Sequence, residues 1–272
     1  MRREVFETPG PLTLDIRVPS GEIEIEAIEG TETVVELSAS PELEEEARIE
    51  LRPRRDGHEL NIVVEKRSRF FGSGRDVRVQ VTAPPGADVE VSTASADTEG
   101  RGEFGKVDVS TASGDVSFDK ATGDVSINSA SGDLKLEEIG GGLTVNTASG
   151  DVDLGRLTGE GKIRSASGDV QLEEAEASLK VQTASGDVQV ESVREGDVVL
   201  QTASGDIEVG IKKGSKLWID AKSMSGETIS DLERRSVERE DRRQRQRQRA
   251  DLVSEDGDRL PRPVPHEERL PG

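Results

Sequence analysis

The chain lacks cysteine and tyrosine and has few aromatic residues of any kind. Its 272 residues include one tryptophan and five phenylalanines, and only 32% of them are apolar. Without cysteine, neither disulfides nor thiolate metal sites can form, which is typical of a reducing compartment. A globular core for a chain of this length normally contains more large side chains. The composition therefore favours a thin core lined by Val, Leu, Ile and Ala.

Long apolar segments are also missing. The sequence begins with two arginines close to Met1, but no apolar run follows them, so it predicts no secretory signal. No stretch of 18 consecutive apolar residues occurs, so no membrane-spanning helix is expected. Together these features predict a soluble, cytoplasmic protein.

Negative charge is abundant, and it is confined to one part of the chain. The net charge is −20, whereas residues 231–272 contain equal numbers of acidic and basic residues. Residues 1–230 therefore carry the whole net charge. Binding to nucleic acids or anionic membranes depends on Lys and Arg contacts, so an acidic body predicts neither as a partner.

The most prominent feature of the sequence is a repeated five-residue motif, Thr/Ser-Ala-Ser-Gly-Asp, which we call the phrase. The first five intervals between copies are 18 residues, the sixth is 19 and the last is 21. A fixed period of this size is typical of a repeat architecture. The copies, including a first one with Ala96 in place of Gly and a last one that reads Ser-Met-Ser-Gly-Glu, begin at Thr93, Thr111, Ser129, Thr147, Ser165, Thr183, Thr202 and Ser223.

Apolar and polar residues alternate on both sides of each phrase. Val107 and Val109 precede one copy, and Val116 and Phe118 follow it. Two short strands per period, each with one apolar face, predict an all-β, parallel-stacked β-solenoid of about 18 residues per coil. An antiparallel meander with nine-residue arms is the alternative. It would prefer similar tight turns at both ends of each hairpin, but only one corner carries Ser-Gly-Asp.

When the coils are aligned by their period, equivalent residues form columns, and two further expectations concern these columns. The second residue of each phrase is small and apolar and is expected to face the core, where two walls of the solenoid approach closely. The last member of this set is larger, so it is expected to widen or plug the last coil. The residues are Ala112, Ala130, Ala148, Ala166, Ala184, Ala203 and Met224. The two apolar columns before the phrase are expected to end at Leu217 and Ile219.

The sequence divides into three regions. Residues 1–85 are predicted to form an irregular β lead-in that shares its core with the repeat, residues 86–230 the regular solenoid, and residues 231–272 a charged, proline-containing tail, helical or disordered. Within the lead-in, residues 20–23 (Ser-Gly-Glu-Ile) look like an early copy of the phrase. Residues 41–55 suit a short helix capped by Ser40 or a strand, with a strand favoured from residue 47 onwards.

The acidic column is the first candidate site. Its members, which we call the aspartate ladder, are Asp97, Asp115, Asp133, Asp151, Asp169, Asp187, Asp206 and Glu227. Stacked carboxylates suggest a calcium site, because Ca²⁺ takes six to eight oxygen ligands. However, the calcium-binding repeat G-G-x-G-x-D is absent. Turn geometry is therefore the favoured role, with Gly making the corner and Asp accepting backbone hydrogen bonds.

Other candidate sites are weaker. The phrase serines have no nearby histidine to activate them, since the histidines are His58 and His266, so a hydrogen-bonded serine row is expected instead. Gly140-Gly141-Gly142 lacks the Gly-Lys-Ser/Thr of a phosphate loop and reads as a corner. An arginine-rich run at 242–249 is flanked by acidic residues; it is expected to be solvated or to fold back on the ladder. The sequence thus predicts no catalytic, cofactor-binding or metal-binding residue.

Longer motifs point to a family. The phrase followed by Val, together with Val-Pro-Ser-Gly-Glu-Ile-Glu-Ile-Glu at 18–26 and Val-Thr-Ala-Pro-Pro-Gly-Ala-Asp-Val-Glu-Val at 81–91, resembles the bacterial "putative adhesin" family of β-strand repeat proteins of unknown function. The resemblance covers about residues 5–230. It implies a β-solenoid-like repeat domain and provides no catalytic residues to transfer.

These observations predict a non-catalytic scaffold or protein-interaction module. Its expected partner is another protein or a second copy of the chain, and no small-molecule substrate or cofactor is expected. The alternatives are an adhesin-like surface protein exported by a non-standard route, a Ca²⁺-binding structural rod, and a carbohydrate-active β-helix enzyme. Such an enzyme needs convergent acids and bases, whereas the repeat face has only scattered basic residues, at Lys135, Arg164 and Lys180.

Overall fold

The computed structural model describes residues 1–65 and 77–230, of which Met1–Ile229 form one compact unit. These described residues form nineteen strands and one short helix, an all-β fold. The helix is α1 (Pro41–Glu46), and the strands are β1 (Arg2–Glu7), β2 (Leu12–Ala27), β3 (Glu32–Ser38), β4 (Arg48–Arg54), β5 (Gly57–Val63), β6 (Arg78–Ala83), β7 (Asp88–Phe104), β8 (Val107–Ser113), β9 (Val116–Ala121), β10 (Val125–Ser131), β11 (Leu134–Ile139), β12 (Leu143–Thr147), β13 (Val152–Leu157), β14 (Gly161–Ser167), β15 (Val170–Ala175), β16 (Leu179–Ser185), β17 (Val188–Ser204), β18 (Ile207–Ser223) and β19 (Thr228–Ser230).

Each coil contributes one strand to each of two parallel stacks. The first stack runs through β7, β8, β10, β12, β14, β16 and the second halves of β17 and β18. The second runs through the other half of β7, then β9, β11, β13, β15 and the first halves of β17 and β18. Val125 lies opposite both Val107 and Leu143, one period away on either side. This register confirms the parallel-stacked solenoid and excludes the meander.

The core lies between the two stacks and is continuous through the described residues. Inward side chains alternate with exposed ones, so Val107 and Val109 from one stack and Val116 and Phe118 from the other are all buried. The largest core side chains are the neighbouring rings of Phe104 and Phe118, which meet edge to face with their centroids 5.5 Å apart.

The first coil belongs to the lead-in. Strand β2 turns a corner at Gly21, which has a φ of +128°, and then pairs with β7 in parallel. Ser20 lies opposite Ser95 of the first phrase, and Glu22 lies opposite Asp97. The early copy of the phrase that the sequence predicts is therefore confirmed.

Antiparallel strands close the N-terminal end of both stacks. β4 pairs with β5 next to β2 in the first stack, while β1 pairs with β3, and β3 with β6, in the second. Between β3 and β4 lies α1, where the Ser40 side chain accepts a hydrogen bond from the Leu43 amide at 3.4 Å. Both the predicted helix with its cap and the strand from residue 47 onwards are therefore present.

The prediction that the alanine column faces the core is wrong. Thr111, the first residue of the phrase, is buried, and Ala112 is exposed, as are the alanines at the same position in the other coils. The reason is that the strand continues into the phrase. Alternation from Val107 and Val109 therefore places Thr111 inward and Ala112 outward.

The predicted register of the last coil is also wrong. Ile219 pairs with Val198 and Ala221 with Leu200, because extra residues are accommodated earlier, between Val193 and Glu195 of β17 and their partners. Met224 does not plug the coil but is 87% exposed, since it continues the outward alanine column.

Some expectations concern residues outside the described part of the chain. These are the loop with the Phe70-Phe71-Gly72 sequence and the whole of residues 231–272, including His266 and the arginine-rich run.

Candidate functional site: the aspartate ladder and its groove

The aspartate ladder is a continuous row of hydrogen bonds from one coil to the next. In each step, the Oδ1 atom of one ladder residue accepts a hydrogen bond from the backbone N–H of the ladder residue in the following coil. Seven such bonds join Asp97 to Glu227, with N···O distances of 3.0, 2.9, 2.9, 2.9, 2.8, 2.8 and 2.7 Å in chain order.

The ladder satisfies backbone groups at the corner between the stacks. The Asp133 carbonyl accepts from the Val116 amide at 2.9 Å, and the Asp151 carbonyl accepts from the Leu134 amide at the same distance. Carboxylates at the 4.8 Å spacing of strands repel each other by roughly 1 kcal/mol in water. A hydrogen bond to a charged acceptor contributes about 1.5–3 kcal/mol, which offsets that repulsion.

The hydrogen bonds support the turn role more than a cation site. One carboxylate oxygen of each aspartate from Asp97 to Asp206 is already bonded to an amide. Within residues 1–65 and 77–230, no group of three or more His, Cys, Asp or Glu side chains is arranged to hold a metal ion.

The hydroxyl row of the phrase has a structural role as well. The Thr147 hydroxyl is buried and donates to the Ser149 carbonyl at 3.0 Å, and Ser129, Ser165, Thr183 and Thr202 make the equivalent bond. The serines at the third position, expected to form a hydrogen-bonded row, are exposed and accept these bonds through their backbone carbonyls. His58, the histidine in the described residues, lies in β5, away from the phrase.

A second corner has the same kind of side-chain-to-amide hydrogen bond in three places. Asp88 Oδ1 accepts from the Lys106 amide at 2.7 Å, and Asp124 Oδ1 accepts from the Gly142 amide at 2.8 Å. Further along, the Ser178 hydroxyl accepts from the Asp197 amide at 3.2 Å. These bonds make Gly140–Gly142 a structural corner. Sequence reasoning missed this set, although aligning the residues by the period would have placed them in one column.

Ion pairs between coils shift the pKa values of two surface side chains, Glu174 and Lys120. The Glu174 carboxylate lies 2.5 Å from Lys212 Nζ and 3.2 Å from the guanidinium groups of both Arg156 and Arg194. The hydrogen bond from Lys212, followed by the charges of the arginines, lowers the pKa of Glu174 below its usual value. This cluster therefore stabilises the fold at neutral pH, and its contribution disappears as the pH falls through the lowered pKa.

A similar arrangement surrounds Lys120. Its ammonium lies 3.1 Å from Glu103 and 3.8 Å from Glu138, and the hydrogen bond with Glu103 raises the pKa of Lys120. Lys120 and Glu174 thus belong to cross-coil pairs on the surface, whose net contributions are modest.

Beside the ladder runs a shallow groove of ≈ 520 Å³, which we call the ladder groove. One wall is formed by ladder carboxylates from Asp97 to Asp169. The other is formed by the first outward residue after each corner: Glu99, Ser117, Lys135, Asp153 and Gln171. The ladder wall is chemically uniform, whereas the second wall changes from coil to coil.

The ladder leads to a stability prediction at Asp151. Replacing Asp151 with alanine removes the acceptor for the Asp169 amide, which lies 2.9 Å away, and we expect about 1 kcal/mol lower free energy of unfolding. Asp151→Asn keeps an oxygen acceptor and removes one charge from the row, so it should be at least as stable as the wild type. Urea unfolding measures both. If both variants lost the same free energy of unfolding, the hydrogen bond would not be the source of the stability that Asp151 provides.

The fold and its ladder define a β-solenoid repeat protein whose repeated polar residues hold its coils together. The model of the Toastrack DUF4097 family, a domain of unknown function, matches residues 13–258, and the chain therefore belongs to this family. No protein with a curated description matches the chain in sequence.

Solved structures that resemble the chain include three from Parabacteroides species. A "putative adhesin" from Parabacteroides merdae is 13% identical, with a TM-score of 0.46, and the match covers 84% of this chain and 95% of that one. A "putative lipid binding protein" from Parabacteroides distasonis is 11% identical, with a TM-score of 0.44 and coverages of 84% and 96%. A "putative adhesin" from the same organism is 14% identical, with a TM-score of 0.46 and the same coverages. In the described residues, no helix is long and apolar enough to span a membrane.

Proposed function

We propose that this protein is a non-catalytic cytoplasmic scaffold that binds a protein partner along the ladder groove. The observation that carries the proposal is the contrast between the two walls of the groove. A uniform ladder fixes the spacing of the coils, while Ser117, Lys135, Asp153 and Gln171 present a different side chain at each step. Such a surface recognises an extended partner position by position.

The structural roles of the repeated residues favour binding over catalysis. Ladder aspartates bond to backbone amides. Buried hydroxyls of the later copies bond to backbone carbonyls, and these hydroxyls belong to Ser129, Thr147, Ser165, Thr183 and Thr202. The titratable groups with shifted pKa values, such as Glu174 and Lys120, are held in surface ion pairs. A catalytic acid and base would instead have to converge on one reacting atom.

The charge of the groove indicates the kind of partner. Asp97, Asp115 and Asp133 line it together with Glu22 and Glu99, and Lys135 is the basic side chain among its lining residues. Electrostatic complementarity across an interface speeds association and selects against partners of like charge. The partner is therefore a protein segment with a basic surface.

The test compares two variants with the same change in charge. Asp153→Lys combined with Gln171→Lys alters the ladder groove, and Asp108→Lys combined with Thr144→Lys alters exposed positions on the other stack. Each full-length protein is used to capture partners from cell extract. We expect a basic protein to be retained by the wild type and by the second variant and to be lost with the first.

Two results would refute the proposal. One is a partner retained equally by both variants, which would place binding elsewhere. The other is hydrolysis or modification of a carbohydrate by the wild type that the groove variant abolishes, which would make the groove an active site.

A further inference from the structure

The two ends of the described stack differ in how they are covered. At the N-terminal end, α1 connects the two stacks and packs Leu43 against the core. The outward face of this helix is acidic, with Glu42, Glu45 and Glu46 exposed. Repeat proteins require terminal caps with a polar outer face, and α1 provides one.

The last described coil is less well covered. Val193, Val198 and Leu200 of β17 are fully buried, whereas Ile211 and Ile219 of β18 are only partly buried. β17 is the strand paired with residues 217–223 of β18 in the described part of the chain. The described first stack therefore ends at the other edge of this segment. The backbone N–H and C=O groups along such an edge can pair with a further strand.

Exposed apolar side chains are concentrated at the two ends. Six large hydrophobic residues are exposed in the described residues, and five of them lie within residues 1–5 or after residue 217. At the N-terminal end they are Met1 and Val5, and at the C-terminal end Trp218, Met224 and Ile229. Isolated exposed apolar residues are ordinary, but their concentration at both ends of one stack is typical of an interaction surface.

The last coil and α1 carry opposite charges. In β18, Lys212, Lys213, Lys216 and Lys222 outnumber the acidic residues, although the chain as a whole has a net charge of −20. Lys212 and Lys222 are paired with Glu174 and Asp220, respectively. Lys213 and Lys216 are exposed. A lysine-rich end thus complements the acidic α1 cap of another copy.

We propose that copies of this chain associate head to tail, with the last coil of one copy seated on the α1 and β1 end of the next. The contact joins Trp218 and Met224 to Met1 and Val5 and places Lys213 and Lys216 opposite the α1 glutamates. This surface is separate from the ladder groove, so the inference does not depend on the proposed function. Head-to-tail contacts leave a free surface at each end, so association continues beyond the dimer.

The other way to cover the last coil with a second copy is less favourable. Two C-terminal ends facing each other would bring lysines against lysines, and like charges across an interface are unfavourable. Such a pair would also close as a dimer, because the same surface is used on both sides. The two arrangements are therefore distinguishable by size.

The test uses sedimentation velocity of the full-length chain over a range of concentrations. We expect species larger than a dimer, with association weakened by salt because charged pairs are screened. The single tryptophan is Trp218, so its fluorescence emission should shift to shorter wavelength as the copies associate. Trp218→Ala should weaken association at every salt concentration.

A charge exchange tests the pairing of the two ends. Lys213→Glu with Lys216→Glu reverses the charge of the last coil, and Glu45→Lys with Glu46→Lys reverses the net charge of the exposed face of α1, so each variant has two ends of like charge. Each double variant alone should need at least about tenfold higher concentration to associate, and an equimolar mixture should recover the wild-type behaviour. Lys162→Glu with Lys180→Glu, at exposed positions in the middle of the first stack, serves as the control and should associate normally.

Several outcomes would overturn the inference. They are a monomer at all concentrations, association that stops at a dimer, and a mixture of the two charge variants that fails to recover. Circular dichroism of each variant distinguishes lost association from lost folding. A wild-type chain that stays monomeric because residues 231–272 cover the last coil gives the first of these outcomes.

Discussion

Replacing Gly150 with alanine is expected to lower the free energy of unfolding by about 3 kcal/mol or more. Gly150 has a φ of +114°, a conformation that side chains with a Cβ rarely adopt. A Cβ at this position would lie 2.1 Å from the carbonyl oxygen of Gly132, the matching glycine of the preceding coil. Because the obstacle is backbone, the coils would have to separate locally, which would also lengthen the ladder bonds on either side.

The matched control is Gly142→Ala, at the other corner. A Cβ on Gly142 would meet its nearest neighbours at 3.5 and 3.6 Å, which is ordinary contact. Chemical unfolding of both variants separates the local clash from the general effect of adding a methyl group. If both variants were destabilised equally, close stacking of the phrase glycines would not be the reason why position 150 requires glycine.

Phe118→Ala is expected to cost roughly 3–5 kcal/mol, the range for removing a large buried aromatic side chain. Phe118 is 2% exposed and contacts the ring of Phe104. The next three coils have leucine at this position, at Leu136, Leu154 and Leu172. Phe118→Leu should therefore cost much less than Phe118→Ala.

Gly100 provides a specific check on this part of the core. A Cβ on Gly100 would lie 2.2 Å from the ring of Phe118. Gly100→Ala should accordingly be destabilising in the wild type and much less so in the Phe118→Ala background. If the two substitutions were simply additive in unfolding experiments, the proposed contact between them would be refuted, because residues in contact give non-additive changes.

The period of the phrase was enough to predict the fold class. Each coil repeats the same apolar alternation, so Val107, Val125 and Leu143 could be placed in one column and are indeed neighbours in the first stack. The early copy at residues 20–23 was also predicted, because its Ser-Gly-Glu-Ile pattern resembles the later corners. In a parallel stack with a constant period, each residue pairs with the residue one period away, so the repeat in the sequence directly predicts which strands are neighbours.

The direction of the alanine was not predicted correctly because apolar character and alternation disagree there. Ala112 is apolar but lies on the outward side of the strand, while the polar Thr111 lies inward and is buried. Alternation prevails because a strand cannot change faces without a bulge. The buried hydroxyl is tolerated where it bonds to a carbonyl two residues on, as Thr147 does.

The last coil shows a different limit. The period of the preceding coils predicts that Leu217 and Ile219 continue the two apolar columns. This coil contains extra residues before residue 217, so the prediction is wrong. Counting backward from the phrase at Ser223 gives the observed pairing of Ile219 with Val198. The ladder bonds are a similar case, since the position of the aspartates was clear from the sequence but not which backbone amide each carboxylate would meet.

The stacking of coils also determines how the molecule responds to force. In the described repeat, the strands of each coil pair with those of the coils before and after it, so tension applied at the C-terminal end of the described stack loads the backbone bonds of one coil at a time. A detached coil of 18 residues extends to about 60 Å, far more than the 4.8 Å it occupied in the stack. The solenoid can therefore lengthen in discrete steps while the remaining coils stay folded, and each detached coil has a template on which to fold again.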